Sequence, residues 1–369
     1  MVSSNITNRS TKRRPTLSAI ANRVGCSKAV ASTVINNSKG NTIVSDSLRK
    51  RVEEAALEIG YVPNFASRSL ARKSTRMLGV YIPPGIWTGV GMMYEGRILR
   101  GIERTCQDKN YDILLINAAG SHNSENCIQK IAEQQVDGTL LVHVRANTPG
   151  LQQILESSRN IVAVDYNEPE PVKLDAVSFD NAAALMMAVE HLVKLGHSRI
   201  AYINPAILNP SPDSIARQNS FLASMKTFNL PVTAPFSGQE KSLGYKTAFQ
   251  SAVEYALSLG AEKMPTAFVA YNDLLALETM HVLADKGLDV PGKVSIVGID
   301  DSPFCSFARP QLTSIKHPLE QMGQQAVFML LEKIEKINID GLEDNDCGRR
   351  SIFQPELVLR GTTAQAYNG

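Results

Sequence analysis

From Met77 onward the chain alternates short apolar runs with longer segments patterned at helical spacing, and few architectures accommodate that alternation. Leu78–Ile82, Asp112–Ile116, Gly138–Val142 and Ile161–Val164 are runs of four or five largely apolar residues. A strand covered on both faces needs such a run, whereas a half-exposed strand alternates polar and apolar residues. A second set, Arg199–Ile203, Ala267–Ala270 and Val294–Gly298, repeats the arrangement. The expectation is an α/β core of two doubly wound parallel-sheet subdomains, with a ligand cleft between them.

In open parallel sheets ligands meet the chain just beyond the carboxyl ends of the strands. Asp165 follows Ala163-Val164, Asn272 follows Val269-Ala270, and Asp300 follows Val297-Gly298-Ile299. A carboxylate or amide there can bond neighbouring hydroxyls of a polyol, or it can cap the helix that follows. Asp180 or Asn181 reads as a cap alone. Trp87, the one tryptophan, lies in a Pro-rich stretch after the first run. It could stack on the apolar face of a sugar ring or simply pack, and Tyr166 beside Asp165 poses the same alternative.

The first 76 residues differ in kind. They hold 14 Lys and Arg against 4 Asp and Glu, a net of +10, whereas the remainder, with 24 against 32, carries −8. A basic segment on an acidic body suits a polyanion partner for that segment alone. Thr16 can cap a helix whose Leu17, Ile20, Ala21 and Val24 share a face, and Gly25 supplies a turn. Ser27 can cap a second helix that turns Val30 and Val34 inward and leaves Lys28, Ala29, Ser32 and Thr33 outward. Ser45 opens a third, with Leu48, Val52, Ala55, Ala56 and Ile59 on one face and Gly60 at its end. Phe65–Lys73 is a short helix-capable stretch without an acidic residue.

These positions fill a pattern. Thr16, Leu17, Ile20, Ala21, Gly25, Ser27, Ser32, Asn36, Val52, Ala55, Gly60, Tyr61, Pro63, Asn64 and Leu70 make the segment resemble the LacI/GalR family of transcriptional regulators. Glu190–Ile203, Thr266–Asp273, Val294–Ser302 and Pro310–Ile315 look like further family signatures, so the likeness runs from Thr16 to about Thr363. Ala31-Ser32 and Ser67-Arg68-Ser69-Leu70 depart from the usual residues, as does Ser220 three positions after Arg217.

The resemblance implies a small all-α helix-turn-helix head on a periplasmic-binding-protein-like core. It puts Lys28, Ala29 and Thr33 at base edges, Leu70 as a minor-groove wedge, and Asn64 and Arg68 near the phosphate backbone. Thr16, Ser27, Ser32 and Asn36 complete the set expected at the DNA. Arg217 matches the arginine that clamps effectors, and joins Trp87, Asp165, Asn272 and Asp300 as the expected effector site.

The expected division is a basic arm over 1–14, the helix-turn-helix over 15–62, a hinge helix and linker over 63–75, the core over 76–363 and a tail over 364–369. Subdomain one takes about 76–179 and 316–345, and subdomain two about 180–315 and 350–363. Five scattered cysteines without a C-x-x-C pair argue against disulfides and a zinc site. No apolar run is long enough to span a bilayer, and the N-terminus lacks the apolar core of a secretory signal.

The expected protein is therefore a cytoplasmic homodimer that binds operator DNA and a small-molecule effector, a sugar for preference. No cofactor, metal or membrane is expected. A soluble sugar-binding receptor is the rival, which the basic head disfavours. An enzyme is a weaker rival, because nothing around His197 marks a nucleophile or a metal site.

Overall fold

The computed structural model describes residues 15–36, 44–83, 92–116, 124–167, 174–204, 212–231, 253–260, 262–340 and 348–367. It divides into two compact units, Met1–Met77 with Gln134–Asp137, and Leu78–Glu133 with Gly138–Gly369.

The first unit is helical. Its helices are α1 (Leu17–Val24), α2 (Lys28–Asn36), α3 (Asp46–Glu58) and α4 (Phe65–Arg72). Thr16 caps α1 by accepting from the amide of Ala19, and Ser27 and Ser45 do the same for Val30 and Leu48. Gly25 ends α1 at φ 74°, a left-handed conformation that costs glycine little, and so turns the chain into α2. Ile20, Ala21, Val24, Ala31, Val34, Val52, Ala55 and Ala56 close a core among the first three helices. Arg51 donates to the carbonyl of Val24, satisfying an acceptor that the end of α1 leaves open.

In the second unit β1 (Met77–Tyr81), β2 (Asp112–Ile116), β3 (Gly138–Val142), β4 (Ile161–Val164), β5 (Asp175–Phe179) and β10 (Arg350–Phe353) form one sheet in the order β10-β5-β4-β3-β1-β2. The second sheet runs β11-β9-β8-β7-β6, from β6 (Ile200–Ile203), β7 (Ala267–Ala270), β8 (Ser295–Asp300), β9 (Thr313–Lys316) and β11 (Glu356–Val358). Its β6, β7, β8 and β9 pair in parallel, and β11 runs antiparallel to β9. Every residue of β3, β4, β5, β6 and β7 is buried, including the polar Thr139 of β3 and Asp175 and Ser178 of β5.

The helices of this unit include α5 (Met93–Asp108), α6 (Glu125–Ala132), α7 (Leu151–Ser157), α8 (Asn181–Lys194), α9 (Pro212–Thr227), α10 (Asp273–Asp285), α11 (Phe304–Phe307) and α12 (Leu319–Asp340). α12 lies along α5 with glycine at both points of closest approach. A Cβ on Gly101 would run into the carbonyl of Glu320, and one on Gly323 into the carbonyl of Ile98. At the far end, buried Asp175 takes hydrogen bonds from the amides of Gly348 and Arg349 and from Lys333 Nζ of α12.

The chain crosses between the sheets three times: from β5 to α8, from β9 to α12, and from β10 to β11. This corrects the expected subdomain limits. Residues 350–353 pair with Ala176–Phe179 in the first sheet, not the second, and only the antiparallel β11 beyond them joins the second. The reason is topological, because α12 packs on the first sheet and the strand that follows it pairs with β5 at the edge of that sheet.

Candidate functional sites in the core and the head

The carboxyl ends of the strands converge on a polar cleft. Asp165 follows β4, His143 follows β3, Tyr271 follows β7, and Asp300 closes β8. Four backbones in these strand-end turns take positive φ: His143 58°, Asp165 58°, Asp300 113° and Asp301 47°. Non-glycine residues avoid that region unless their surroundings enforce it, and such positions gather at ligand sites.

The enforcement at Asp300 is visible. Arg97 of α5 donates to its carbonyl at 2.8 Å and to that of His317 at 3.4 Å. Asp273, the first residue of α10, accepts from the amide of Ser302 at 2.6 Å and from the Ser314 hydroxyl at 2.5 Å. Arg360 pairs with Asp301 at 2.7 Å. The turn that aims Asp300 is thus held from α5, α10 and the strand after it. Burial pushes the Asp273 carboxyl above the usual carboxylate range, and the charge of Asp300 pushes it further.

Arg217 of α9 is 5% exposed. Its Nε donates to Asn181 Oδ1 at 2.7 Å and its Nη1 to the Tyr271 carbonyl at 2.8 Å, while the guanidinium lies over the Tyr271 ring. Its Nη2 stands 3.9 Å from Oδ1 of Asp300, and His317 Nδ1 stands 3.6 Å from the same oxygen. Both separations exceed a hydrogen bond, and that buried Oδ1 has no hydrogen-bond partner among the described residues. Burial raises the Asp300 carboxyl above its ordinary range, while Arg217 and Arg97 draw it back. Burial opposes the charge on Arg217, yet Tyr271 and Asp300 beside it hold it more firmly protonated than usual.

On the opposite wall the Tyr94 hydroxyl donates to Asp165 Oδ2 at 3.0 Å and lies 3.3 Å from His317 Nδ1. His143 bonds Glu95 through Nδ1 at 3.0 Å, and its Nε2 is 4.0 Å from Asp165. His317 has no exposed surface and stacks on Phe179, with ring centroids 3.9 Å apart. A chain of polar groups therefore runs across the cleft from Glu95 through His143, Asp165, Tyr94, His317 and Asp300 to Arg217.

Among the residues expected at the effector site, the structure brings Asp165, Arg217 and Asp300 together. Asn272 instead caps α10, its Oδ1 accepting from the amide of Leu275 at 2.9 Å, so its oxygen is already spent on the backbone. Asp165 has both oxygens engaged, by Tyr94 and by Asn167. Trp87 lies outside the described residues. Tyr166 is fully buried, with the Arg350 guanidinium over its ring. Asp180 caps α8, while Asn181 is a partner of Arg217. Tyr94, Arg97, His143, His317 and Tyr271 were not singled out by the sequence. Among the described residues no group of His, Cys, Asp or Glu is placed to hold a metal ion.

In the head, Ser27, Lys28 and Ala29 are exposed and Ser32 and Thr33 half-buried, so the start of α2 faces outward. Asn36 is 5% exposed and donates to the Ser32 hydroxyl at 3.1 Å, which makes it part of the helix packing. Thr16 and Ser27 serve as caps while remaining exposed. On α4, Asn64 just before it and Leu70 are exposed and Arg68 is half-buried. Leu70 is 84% exposed, an apolar side chain on a basic helix.

A helix-turn-helix whose second helix shows a basic outer start, carried on one chain with a two-sheet core that gathers ionisable groups at its strand ends, has the make-up of a DNA-binding regulator with a binding-protein-like core. Residues 16–64 match the family model for bacterial regulatory proteins of the lacI family, and residues 189–363 match that for a periplasmic binding protein-like domain. Residues 16–64 thus carry the lacI-type DNA-binding domain, and over nearly its whole length the chain is similar to DNA-binding transcriptional regulators.

It is 28% identical over 355 residues to the HTH-type transcriptional repressor PurR of Vibrio parahaemolyticus, covering 94% of this chain and 98% of that protein. To catabolite control protein A of Priestia megaterium it is 28% identical over 326 residues, 88% of this chain and 94% of that one. The fold is also that of a lac repressor dimer bound to operator and the anti-inducer ONPF, with TM-score 0.76 at 23% identity over 95% of this chain and 100% of that chain. A CelR–cellobiose complex matches with TM-score 0.65 at 24% identity, again over 95% of this chain and 100% of that chain.

Proposed function

We propose that this regulator is a repressor whose hold on an operator is set by a neutral, hydroxyl-rich effector, a sugar, bound between the two sheets of the core. The observation that carries the reading is the Arg217–Asp300 pair. A guanidinium nitrogen and a carboxylate oxygen 3.9 Å apart leave a donor and an acceptor side by side, and vicinal hydroxyls can answer both. Three carboxylates, Glu95, Asp165 and Asp300, sit in the same chain of polar groups, a poor setting for an anionic ligand. The CelR structure contains cellobiose, a ligand of this chemistry.

Binding there changes the balance between two arrangements of the sheets, and α4, a helix too short to hold alone in water, responds. Lys28, Ala29 and Thr33 read base edges, Asn64 and Arg68 meet phosphates, and Leu70 enters the minor groove. The protein acts as a homodimer, which a palindromic operator requires. Exposed Phe304 and Phe307 line an apolar groove with Leu277, Met280 and His281, and suit the partner copy. No helix of the described residues is long and apolar enough to cross a membrane, and the work is done where the DNA is. The protein binds and releases; it transforms nothing.

The test is a thermal-shift screen of neutral mono- and disaccharides, sugar phosphates and nucleobases, followed by DNA binding with each hit. A ligand confined to the folded state at about 100 times its Kd stabilises by about 2.7 kcal/mol. A neutral sugar that raises the melting temperature and alters duplex affinity supports the reading; a hit only among phosphates or nucleobases overturns the effector class.

A further inference from the structure

We propose that Asp137 is a positioning residue of the DNA-binding response, because its carboxylate clamps the final residues of the linker that follows α4. Thr75 donates to its Oδ1 through the amide at 2.6 Å and through the hydroxyl at 2.8 Å. Ser74 donates its hydroxyl to Oδ2 at 2.5 Å, and the amide of Arg76 donates to the same oxygen at 3.0 Å. One carboxylate thus collects four donors from three consecutive residues, all within the first unit.

The clamp leaves almost no slack. α4 ends at Arg72, where the amide of Ser74 bonds back to the carbonyl of Ser69 at 3.2 Å. Lys73, in the left-handed region at φ 54°, is the single residue between the helix and the clamped stretch. Every loose residue after a marginal helix adds freedom that must be surrendered when the helix orders. Fixing Ser74, Thr75 and Arg76 beforehand removes most of that loss.

Four of the donors to this carboxylate come from the linker. Asp137 precedes β3, not a helix, so it has no capping duty. Its own amide already bonds the carbonyl of Met77 at 2.8 Å, so pairing of the backbones that lead into β1 and β3 does not use the side chain. The carboxylate serves the linker.

The experiment compares the full-length protein with D137N and D137A, using a duplex recovered by the unaltered protein from a random-sequence pool. Amide hydrogen exchange at Thr75 and Arg76 and trypsin cleavage after Lys73 and Arg76 report the clamp. Removing a charged acceptor should speed both by roughly tenfold in D137A. In D137N the amide oxygen still accepts from Thr75, whereas the NH2 group cannot accept from Arg76, so an intermediate value is expected.

Duplex affinity should fall in the same order, by roughly three- to tenfold in D137A, while the melting temperature of the protein stays put. A purely structural role would lower the melting temperature without that graded order. Unchanged exchange in D137A, or equal duplex affinity in all three proteins, overturns the proposal.

Discussion

Nζ of Lys333 lies 3.2 Å from Oδ2 of Asp175, with neither side chain more than 4% exposed. This pair, with the amides of Gly348 and Arg349, binds α12 and the start of β10 to the edge of β5. Burial alone would raise the Asp175 carboxyl, but Lys333 and the two backbone amides outweigh it and hold it below its ordinary range.

Replacing Asp175 by Asn should therefore cost about 3–5 kcal/mol, because Lys333 would be left buried without a counter-charge. The sign of the pH effect follows from the depressed carboxyl. Its contribution is complete above the unfolded carboxylate pKa of about 4 and disappears as pH falls through the lower folded value. Denaturant melts from pH 7 downward should show a difference between the two proteins that is largest at pH 7 and shrinks as the pH falls below about 4.

At the cleft, Asp300→Ala or Arg217→Ala should remove the response to a sugar effector while duplex binding persists. Removing Asp300 takes a charged acceptor from the ligand hydroxyls and removing Arg217 a charged donor, each about 1.5–3 kcal/mol of ligand affinity, or more than tenfold. Titration calorimetry with the sugar found by thermal shift checks this. Ligand binding unchanged in both variants would remove the pair from the site.

In the head, Lys28→Ala and Leu70→Ala should each weaken duplex binding by about 1–3 kcal/mol without lowering stability, since both side chains are exposed in the free protein. Electrophoretic mobility shifts beside a melting curve separate the two effects. Lys28→Ala should also flatten the dependence of affinity on salt.

Between α5 and α12, Gly101→Ala or Gly323→Ala should destabilise the core by about 1–3 kcal/mol, since the added methyl meets a carbonyl of the facing helix. Urea unfolding measures it. Gly96→Ala on α5, where a Cβ meets nothing within 4 Å, is the control and should be neutral or better.

What the sequence made legible follows from range. The apolar runs at Gly138–Val142, Ile161–Val164 and Ala267–Ala270 declare buried strands because their burial on both faces excludes polar residues. Thr16, Gly25 and Ser45 announce helix ends because capping is local. Asp300 could be picked out because it follows such a strand. By contrast β5, Asp-Ala-Val-Ser-Phe, carries Asp175 and Ser178 on buried positions, and distant partners, Lys333, Gly348, Arg349 and the carbonyl of Tyr166, explain why they are tolerated. Arg97 and Tyr94 read as ordinary helix residues, and His317 as a loop residue. Their roles depend on contacts more than 70 residues away, such as Tyr94 to Asp165 and Arg97 to Asp300. Asn272 shows the reverse, a polar residue at the right strand end whose oxygen the following helix claims first.

The third crossover has a bearing on biosynthesis. β10 completes the edge of one sheet and β11 that of the other, within Arg350–Val358. A nascent chain leaving the ribosome can fold its helical head early, but neither half of the core acquires its last strand until translation has passed these residues. Ribosome stalling ahead of them would strand two open sheet edges together, so the ligand sensor is assembled late and as a whole.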